Sequence, residues 1–344
     1  MLDSPRLALL GFSSYFREAY LAHPAVHAGT RPGRVCIEHR GRLVVMTGEE
    51  RILAWPPEGV RHESLKPEDV LARPRVGDWV VLPIEGSEPR ILGVLPRQTA
   101  LLRQTPKKRV TVQVVAANLD RVLVVSAWGP DLSPRRMERF VAAIRASGAR
   151  PELVINKVDL ADELPPDPVA RLGALAADMV VWWTSAKTGA GLEALRASVQ
   201  EGETIGLVGT SGAGKSSLIN RLHGEDIQAT ATVRAGDEKG RHTTTHRELV
   251  PIAGGGLLLD TPGMRELQLW DGTGVADTYA DVEALSRQCR WRGCTHGRED
   301  GCAIQEAIRT GAISRGRVAG WRKLRAEAQA TATRRKRSKG RRGR

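Results

Sequence analysis

Cysteine is sparse in this sequence, and the placement of the few that occur excludes a disulfide scaffold. Four cysteines are present in 344 residues, and three of them, Cys289, Cys294 and Cys302, lie close together. A disulfide-stabilised module would have a denser, evenly paired set. Clustered cysteines favour a metal site instead, whereas the isolated Cys36 lies in an apolar stretch and is expected in the core.

Long apolar runs are also absent, although 41% of the residues are hydrophobic. No segment approaches the roughly 20 apolar residues that a membrane-spanning helix needs. The first twenty residues contain only the short apolar stretch Leu7 to Leu10, without the basic start and cleavage site of a secretory signal. We therefore expect a cytoplasmic protein with no membrane partner, and the length predicts two or three domains.

Acidic residues are too few to balance the basic ones, which leaves a net charge of +13 and a pI near 10.2. Such an excess favours a polyanionic partner, either nucleic acid or an anionic membrane. Eight of the eleven residues from 334 to 344 are Arg or Lys. We predict a basic, disordered tail over residues 331–344, which either keeps the protein soluble or contacts phosphates.

Four segments before this tail differ in their secondary-structure pattern. After an amino-terminal extension (1–32), residues 33–112 contain several short predicted strands. These favour a small OB-like β-barrel, which either binds RNA or serves as a packing spacer. Residues 113–272 alternate predicted strands and helices, which is typical of an α/β domain with a parallel sheet. Residues 273–330 carry the cysteine cluster and predicted helices, so we expect a small metal-binding helical domain.

A glycine-rich loop in the α/β segment matches the phosphate-binding pattern G-x-x-x-x-G-K-S/T. A predicted strand precedes it and a predicted helix follows, which is the setting that the motif requires. Glycines let successive backbone N–H groups point at a phosphate chain, while Lys215 can reach the β- and γ-phosphates and Ser216 can bind Mg²⁺. The predicted phosphate-binding residues are Gly209, Thr210, Ser211, Gly212, Ala213, Gly214, Lys215, Ser216 and Ser217.

Two base-reading motifs also follow predicted strands. The carboxylate of Asp159 can accept hydrogen bonds from the N1–H and the 2-amino group of guanine, and adenine would leave it unpaired. Asn156 can tie this loop to the phosphate loop, the Lys157 stem can cover the base, and a backbone N–H of the second motif can meet the guanine O6. The predicted guanine-binding residues are Asn156, Lys157, Val158 and Asp159, with Ser185, Ala186 and Lys187.

The order of these motifs is unusual, because both base-reading motifs precede the phosphate loop. In Ras-like GTPases the phosphate loop comes first. Since the termini of a domain often lie close together, such a sheet can be cut and rejoined without losing its site. The sequence therefore predicts a circularly permuted P-loop GTPase domain, whose nucleotide-sensing end leads directly into the carboxyl-terminal domain and can re-aim it.

The magnesium and hydrolysis groups are expected after the phosphate loop. Asp260, at the end of a predicted strand, can hold Mg²⁺ through water, and Gly263 can offer its N–H to the γ-phosphate. In the preceding polar stretch one of three threonines, 243 to 245, should bind Mg²⁺, and we favour Thr244 or Thr245. Met264 stands where Ras-like enzymes carry a water-positioning Gln. His242 is the candidate replacement, unless a partner supplies the group or His242 is merely solvated, so we expect slow intrinsic hydrolysis.

The cysteine cluster has the spacing of a structural zinc site. Cys289, Cys294, His296 and Cys302 offer three thiolates and one imidazole, which complete a tetrahedral set and leave no position for catalysis. Buried cysteines or a redox site are the alternatives. Between the cysteines lie Trp291, Arg292 and Arg298. These residues can pack against the cluster or contact RNA.

These motifs, in this order and spacing, resemble the bacterial ribosome small subunit-dependent GTPase A (RsgA) family over nearly the whole chain. The resemblance implies an OB-fold, a permuted GTPase domain and a zinc domain. It further implies late maturation of the 30S ribosomal subunit, contact with 16S rRNA, GTPase stimulation by the subunit, and a catalytic role for His242. We expect a monomer that binds GTP and GDP with Mg²⁺ and one structural Zn²⁺. Two alternatives stay open: a nucleic-acid-binding scaffold with little turnover, and an ATP-dependent enzyme, which Asp159 disfavours.

Overall fold

The computed structural model of the chain describes most of its residues. They are residues 2–39, 41–59, 72–86, 88–104, 112–130, 132–161, 167–224, 248–252, 254–260 and 272–340. At residues 104, 112, 260 and 334–340 the description covers the backbone only.

Five short strands near the amino terminus form the predicted small barrel. They are β1 (Thr30–Glu38), β2 (Leu43–Met46), β3 (Arg51–Ala54), β4 (Trp79–Pro83) and β5 (Gly93–Val94). The antiparallel order is β3-β2-β1-β4-β5, and an isolated bridge between Trp55 and Arg90 joins the two edges. Strands β1 and β2 pair antiparallel, with Glu38 opposite Leu43. Sequence analysis missed β3, and it remains a prediction that the barrel is an OB-fold.

The amino-terminal residues belong to this barrel and are not an extension. Helices α1 (Pro5–Leu9) and α2 (Ser14–Leu21) cover one end of it, and the rings of Phe12 and Phe16 lie 4.8 and 5.8 Å from that of Trp79. The predicted boundary at residue 33 therefore falls inside β1. This boundary was wrong because the apolar residues of the two helices are too widely spaced in the sequence to predict a packed face. Only the contacts with Trp79 in the structure show that this segment packs on the barrel.

A six-stranded sheet forms the predicted GTPase domain. Its members, in chain order, are β8 (Arg121–Ala127), β9 (Arg150–Asn156), β10 (Val181–Trp183), β11 (Thr204–Gly209), β12 (Glu248–Pro251) and β13 (Leu257–Asp260). The spatial order is β10-β9-β8-β11-β13-β12, and β12 also pairs with β1, which joins the sheet to the barrel. Five strands are parallel as predicted, but β12 runs antiparallel to β13, because the short connection between them permits only a hairpin.

Helices cover both faces of this sheet. They are α3 (Pro134–Ser147), α4 (Leu192–Ala197) and α5 (Lys215–His223). Alternate residues of the central strands enter two separate cores: Val122 and Val124 pack with the residues of α3, while Leu123 and Val125 pack with those of α4 and α5. The near-continuous apolar strands follow from burial on both faces. The connection from barrel to sheet is the antiparallel pair β6 (Ala100–Gln104) and β7 (Val112–Ala117).

Four further helices form the carboxyl-terminal module. They are α6 (Thr273–Thr278), α7 (Ala280–Ser286), α8 (Ala303–Arg309) and α9 (Arg315–Gly340). Helix α6 packs on α3 of the GTPase domain, where a Cβ at Gly274 would lie 1.9 Å from the Ala142 carbonyl oxygen. The predicted disordered tail is incorrect as far as residue 340, because α9 continues through it. Arg, Lys and Ala are good helix formers, and a helix needs only local hydrogen bonds.

Candidate nucleotide site and metal centre

The predicted nucleotide-binding loops meet at one edge of the parallel sheet. Strands β9, β10, β11 and β13 point in the same direction, so the loops after them share the edge where ligands bind in such sheets. These are the loops that begin at Asn156, Thr184, Gly209 and Asp260. The structure thus brings together groups that lie 25 or more residues apart along the chain.

The phosphate loop wraps between β11 and α5 with little room for side chains. A Cβ at Gly209 would lie 2.0 Å from the Val125 carbonyl oxygen, and one at Gly214 would lie 2.3 Å from Nδ2 of Asn156. Both glycines also have positive φ values, of 141° and 89°. These positions therefore require glycine, as the motif predicts.

Lys215 begins helix α5 and turns back over the loop. Its Nζ donates to the carbonyl oxygens of Gly209 at 2.9 Å and of Thr210 at 2.7 Å. Ser211 and Gly212 in the loop and Ser216 in the first turn of α5 are exposed. The arrangement places an ammonium group and a helix amino terminus at one concave surface, which is suited to a phosphate chain.

Asn156 connects the phosphate loop to the second base-reading loop. Its Nδ2 donates to the Ala213 carbonyl oxygen at 2.8 Å, and its Oδ1 accepts from the backbone N–H of Ala186 at 3.0 Å and from Oγ1 of Thr184 at 3.3 Å. The side chain is buried, with 1% of its surface exposed. Because each polar atom of this amide has a partner in a different loop, its orientation fixes both loops together.

Asp159 is held in turn by the second base-reading loop. Oγ of Ser185 donates to its carboxylate, and the same Oγ accepts from the N–H of Thr188 at 3.1 Å. Lys157 adopts a left-handed conformation, with φ 65° and ψ 36°, directly before the short 3₁₀ helix Val158–Leu160. Asp159 is partly exposed, so its carboxylate remains accessible at the mouth of the site.

The hydrolysis and switch predictions fall mostly outside the described residues. These are His242, Thr243, Thr244, Thr245 and Gly263. Asp260 ends β13 beside the phosphate-loop strand, as predicted, but its side chain also lies outside the description.

Sequence analysis missed two residues of this site. Thr184 directly follows β10, and its Oγ1 donates to Oδ1 of Asn156. Its position directly before Ser185 was the available signal. Arg221 donates to the carbonyl oxygens of Ala186 and Lys187, each at 3.1 Å, from the last turn of α5. No motif marks Arg221, because its role depends on the packing of α5 against a loop that precedes it by more than thirty residues.

The four predicted metal ligands converge in the carboxyl-terminal module. Sγ of Cys289 lies 3.4 Å from Nδ1 of His296 and 3.9 Å from Sγ of Cys302, and the ligand atoms of the set, which includes Cys294, all lie within 4.8 Å of one another. Bond lengths to zinc of about 2.0–2.3 Å put tetrahedral ligands roughly 3.5–3.8 Å apart. The donor set therefore fits one tetrahedral zinc ion.

The surroundings of His296 favour the form that binds metal. Burial, together with Arg322 and Arg325, lowers its pKa, so the imidazole is neutral at neutral pH. Its ring lies 5.5 Å from that of Trp321, and its carbonyl oxygen accepts from Nε2 of Gln305 at 2.6 Å. Cys36, by contrast, is fully buried in the barrel, as predicted, and burial raises its pKa to about 11.

Comparison with known proteins decides the family. The profile described as RsgA GTPase matches residues 94–270. A curated relative from Opitutus terrae, named small ribosomal subunit biogenesis GTPase RsgA, is 40% identical over 342 residues and covers 96% of this chain and 91% of its own. A relative of the same name from Xanthomonas axonopodis is 41% identical, covering 91% and 85%.

The chain belongs to the RsgA GTPase family. As a member it is a GTPase, which confirms the resemblance drawn from its motifs. YjeQ from Thermotoga maritima is similar in structure, with a TM-score of 0.61, 29% identity and coverage of 87% of this chain and 99% of that one. YloQ, described as a circularly permuted GTPase, has a TM-score of 0.60 at 24% identity and shares the fold, with coverage of 90% and 98%.

The GTPase and metal modules of this RsgA-family chain are joined by a buried cluster of charged groups. Arg317 on α9 lies 2.7 Å from Oε1 of Glu138 on α3 and 3.0 Å from Oδ1 of Asp281 on α7. The hydroxyl of Tyr279 donates to Glu138 at 2.8 Å, and burial and the Glu138 carboxylate raise the pKa of Tyr279, which keeps it a donor. These contacts fix the position of the carboxyl-terminal module on the GTPase domain.

No helix in the described ranges has both the length and the apolar character that crossing a membrane requires.

Proposed function

We propose that this RsgA-family GTPase hydrolyses GTP to GDP and phosphate as a checkpoint in late maturation of the small ribosomal subunit. The protein would bind the 30S subunit and its 16S rRNA in the GTP form, and hydrolysis would release it. The names of the curated relatives support the small subunit as partner. The net charge of +13 suits a polyanionic partner of this kind. Such a role implies a cytoplasmic protein, and we expect it to act as a monomer.

The observation that carries the proposal is the linkage of the base-reading and phosphate loops through Asn156. The amide holds the Ala213 and Ala186 backbones with bonds of 2.8 and 3.0 Å, so the two loops can close on opposite ends of one nucleotide. Asp159 would then accept from the guanine N1–H and 2-amino group. An adenine would leave that carboxylate without donors.

The chain's own groups have distinct roles in binding. The N–H groups of residues 209 to 217 cradle the β- and γ-phosphates, and Lys215 exchanges its loop carbonyl partners for phosphate oxygens. Ser216, Thr244 and Asp260 would hold Mg²⁺, which neutralises the charge on the phosphates when it is bound. We assign His242 to the positioning of the attacking water, and Gly263 to the γ-phosphate.

The metal module has a structural role in this proposal. Cys289, Cys294, His296 and Cys302 would hold one zinc ion with no open position, so the ion stabilises the fold and takes no part in catalysis. Since residue 260 of the nucleotide site is followed after eleven residues by Gly272 and α6, the state of the nucleotide can act on the docked module. We propose this as the route by which hydrolysis changes affinity for the subunit.

GTP turnover measured against 30S concentration tests the proposal. We expect slow release of phosphate by the protein alone and a rise that saturates with added subunits. Lys215→Ala should abolish both rates, and His242→Ala should reduce the stimulated rate while GTP still binds. Turnover that stays flat with 30S, together with retained subunit binding, would instead support the scaffold, and equal competition by ATP would contradict guanine recognition.

A further inference from the structure

The last turn of α5, the helix after the phosphate loop, is hydrogen-bonded to the second base-reading loop, which follows β10. Nε of Arg221 donates to the Ala186 carbonyl oxygen at 3.1 Å, and NH2 of the same guanidinium donates to the Lys187 carbonyl oxygen at 3.1 Å. Two consecutive carbonyls are thus bound by one rigid, planar cation. Arg196 in turn donates to the Arg221 carbonyl oxygen, which ties α4 to the same helix end.

In a trans peptide group the C=O and the N–H point in opposite directions, so the N–H groups of the two peptides bound by Arg221 point away from the guanidinium. The Ala186 carbonyl and the Lys187 N–H belong to one peptide group, and the Lys187 carbonyl and the Thr188 N–H belong to the next. The Thr188 N–H donates to Oγ of Ser185 at 3.1 Å, and Ser185 donates to the carboxylate of Asp159. A continuous chain of hydrogen bonds therefore runs from the guanidinium to the base-reading carboxylate.

A cation on a carbonyl oxygen strengthens the N–H of the same peptide group as a donor. Charge-assisted hydrogen bonds are about twice as strong as neutral ones, and successive bonds in a chain polarise one another. The N–H of Ala186 is already used by Oδ1 of Asn156 at 3.0 Å. The polarised N–H of Lys187 is therefore the donor that this loop offers to a base.

We propose that Arg221 is a positioning residue for guanine selectivity. It orients residues 185–188 and polarises the Lys187 N–H toward the O6 acceptor of the base. This rests on the proposed function, because it takes the Asp159 site to be the guanine site. Arg221 itself touches no part of the nucleotide and acts only through the loop.

The geometry requires arginine at this position. The two donors sit on different nitrogens of one plane and meet two carbonyls that are adjacent along the chain. A lysine carries its charge on a single nitrogen and cannot reproduce this fork. Arg221→Lys should therefore keep the charge and recover only part of the effect.

Binding of GDP and of 6-thio-GDP to the wild type and to Arg221→Ala tests the proposal. Sulfur in place of O6 is a poor acceptor, while the groups read by Asp159 are unchanged. We expect Arg221→Ala to weaken GDP binding about tenfold, the scale of one lost charge-assisted hydrogen bond, and to weaken 6-thio-GDP less than about threefold. This non-additivity is the signature of a coupled pair.

A purely structural role for Arg221 predicts a different result. Equal losses for both ligands, or no loss for GDP, would overturn the proposal, as would full recovery in Arg221→Lys. Arg136→Ala removes the same charge from an exposed site on α3 and should leave both affinities unchanged. A wild type that binds ADP as tightly as GDP would instead refute the guanine site, and with it the proposed function.

Discussion

Asn156 shows how much of this site depends on one uncharged residue. Its amide is buried, and it is bonded to the phosphate loop on one side and to the second base-reading loop on the other. Both loops contact the nucleotide at different ends in the proposed function. Their relative position is therefore set by a side chain that need not touch the phosphates.

Asn156→Ala should weaken GDP binding by about tenfold to a hundredfold. The substitution leaves the Ala186 N–H and the Ala213 carbonyl without their partner, and each buried group left unpaired costs about 1–3 kcal/mol. Fluorescence titration with a labelled GDP gives the affinity. Asn220→Ala, at an exposed position on α5, is the control and should bind normally. An unchanged affinity in Asn156→Ala would mean that the loops hold their positions without it.

Helices α3, α7 and α9 meet at a buried ion pair that local patterns do not predict. The side chains of Arg317 and Glu138 are 8% and 5% exposed, and they are separated by 179 residues along the chain. A buried pair of this kind gains little over an apolar contact, but removing one partner leaves a buried charge uncompensated. The junction is therefore sensitive to single substitutions at either residue.

Arg317→Met should lower the free energy of unfolding by about 3–5 kcal/mol, because Glu138 keeps its charge in a buried site. Urea denaturation followed by circular dichroism measures the change. The matched control is Arg309→Met, whose partner Glu306 and own side chain are 58% and 73% exposed. That exposed pair should contribute about 0–1 kcal/mol. Equal losses in both variants would contradict the role assigned to burial.

At the scale of the whole molecule, the four proposed zinc ligands form a local knuckle within residues 289–302 of the carboxyl-terminal module. A bound metal ion would be the main source of stability for this knuckle, whose ligands lie between the end of α7 and the start of α8. The core on the α3 side of the sheet continues into the helices of this module, whereas the core beneath α4 and α5 is formed by residues of the GTPase domain. Loss of metal should therefore act on one part of the chain.

Removal of zinc by a strong chelator should unfold the knuckle and leave GDP affinity within about threefold, since metal binding supplies folding energy locally. Limited proteolysis should then cut first near residues 289–302, and mass spectrometry of the native protein should find one zinc per chain. Cys294→Ser should behave like the chelated protein, whereas Cys36→Ser should retain its zinc. Loss of GDP binding on chelation would show that the modules fold together.

The long helix α9 continues into the basic end of the chain. Its 26 residues span about 39 Å at the rise of an α-helix. Deleting residues 334–344 removes eight positive charges and lowers the net charge from +13 to +5. If these residues contact phosphates, the slope of log affinity for RNA against log salt should fall by at least about 2, at roughly 0.7–0.9 per contact. An unchanged slope would favour a solubilising role.

The parts of this protein that sequence alone could determine are those built from neighbours in the chain. The phosphate loop, the two base-reading loops and the cysteine spacing each need a few residues after a strand or within a turn, so their chemistry is visible in short motifs. Their order was enough to predict a permuted GTPase. The start of α3 is local in the same sense, with Ser133 before it and Pro134 at its first position.

Tertiary structure alone decided the contacts between distant residues. Arg221 behind the base-reading loop, Glu138 beneath Arg317, and Phe16 against Trp79 carry no local signal, because each depends on two elements being brought together by the rest of the fold. The same holds for β12, whose pairing with β1 links barrel and sheet. Hydrophobic burial drives such packing without regard to sequence distance, so motifs specify which groups react and the packed core specifies which groups position them.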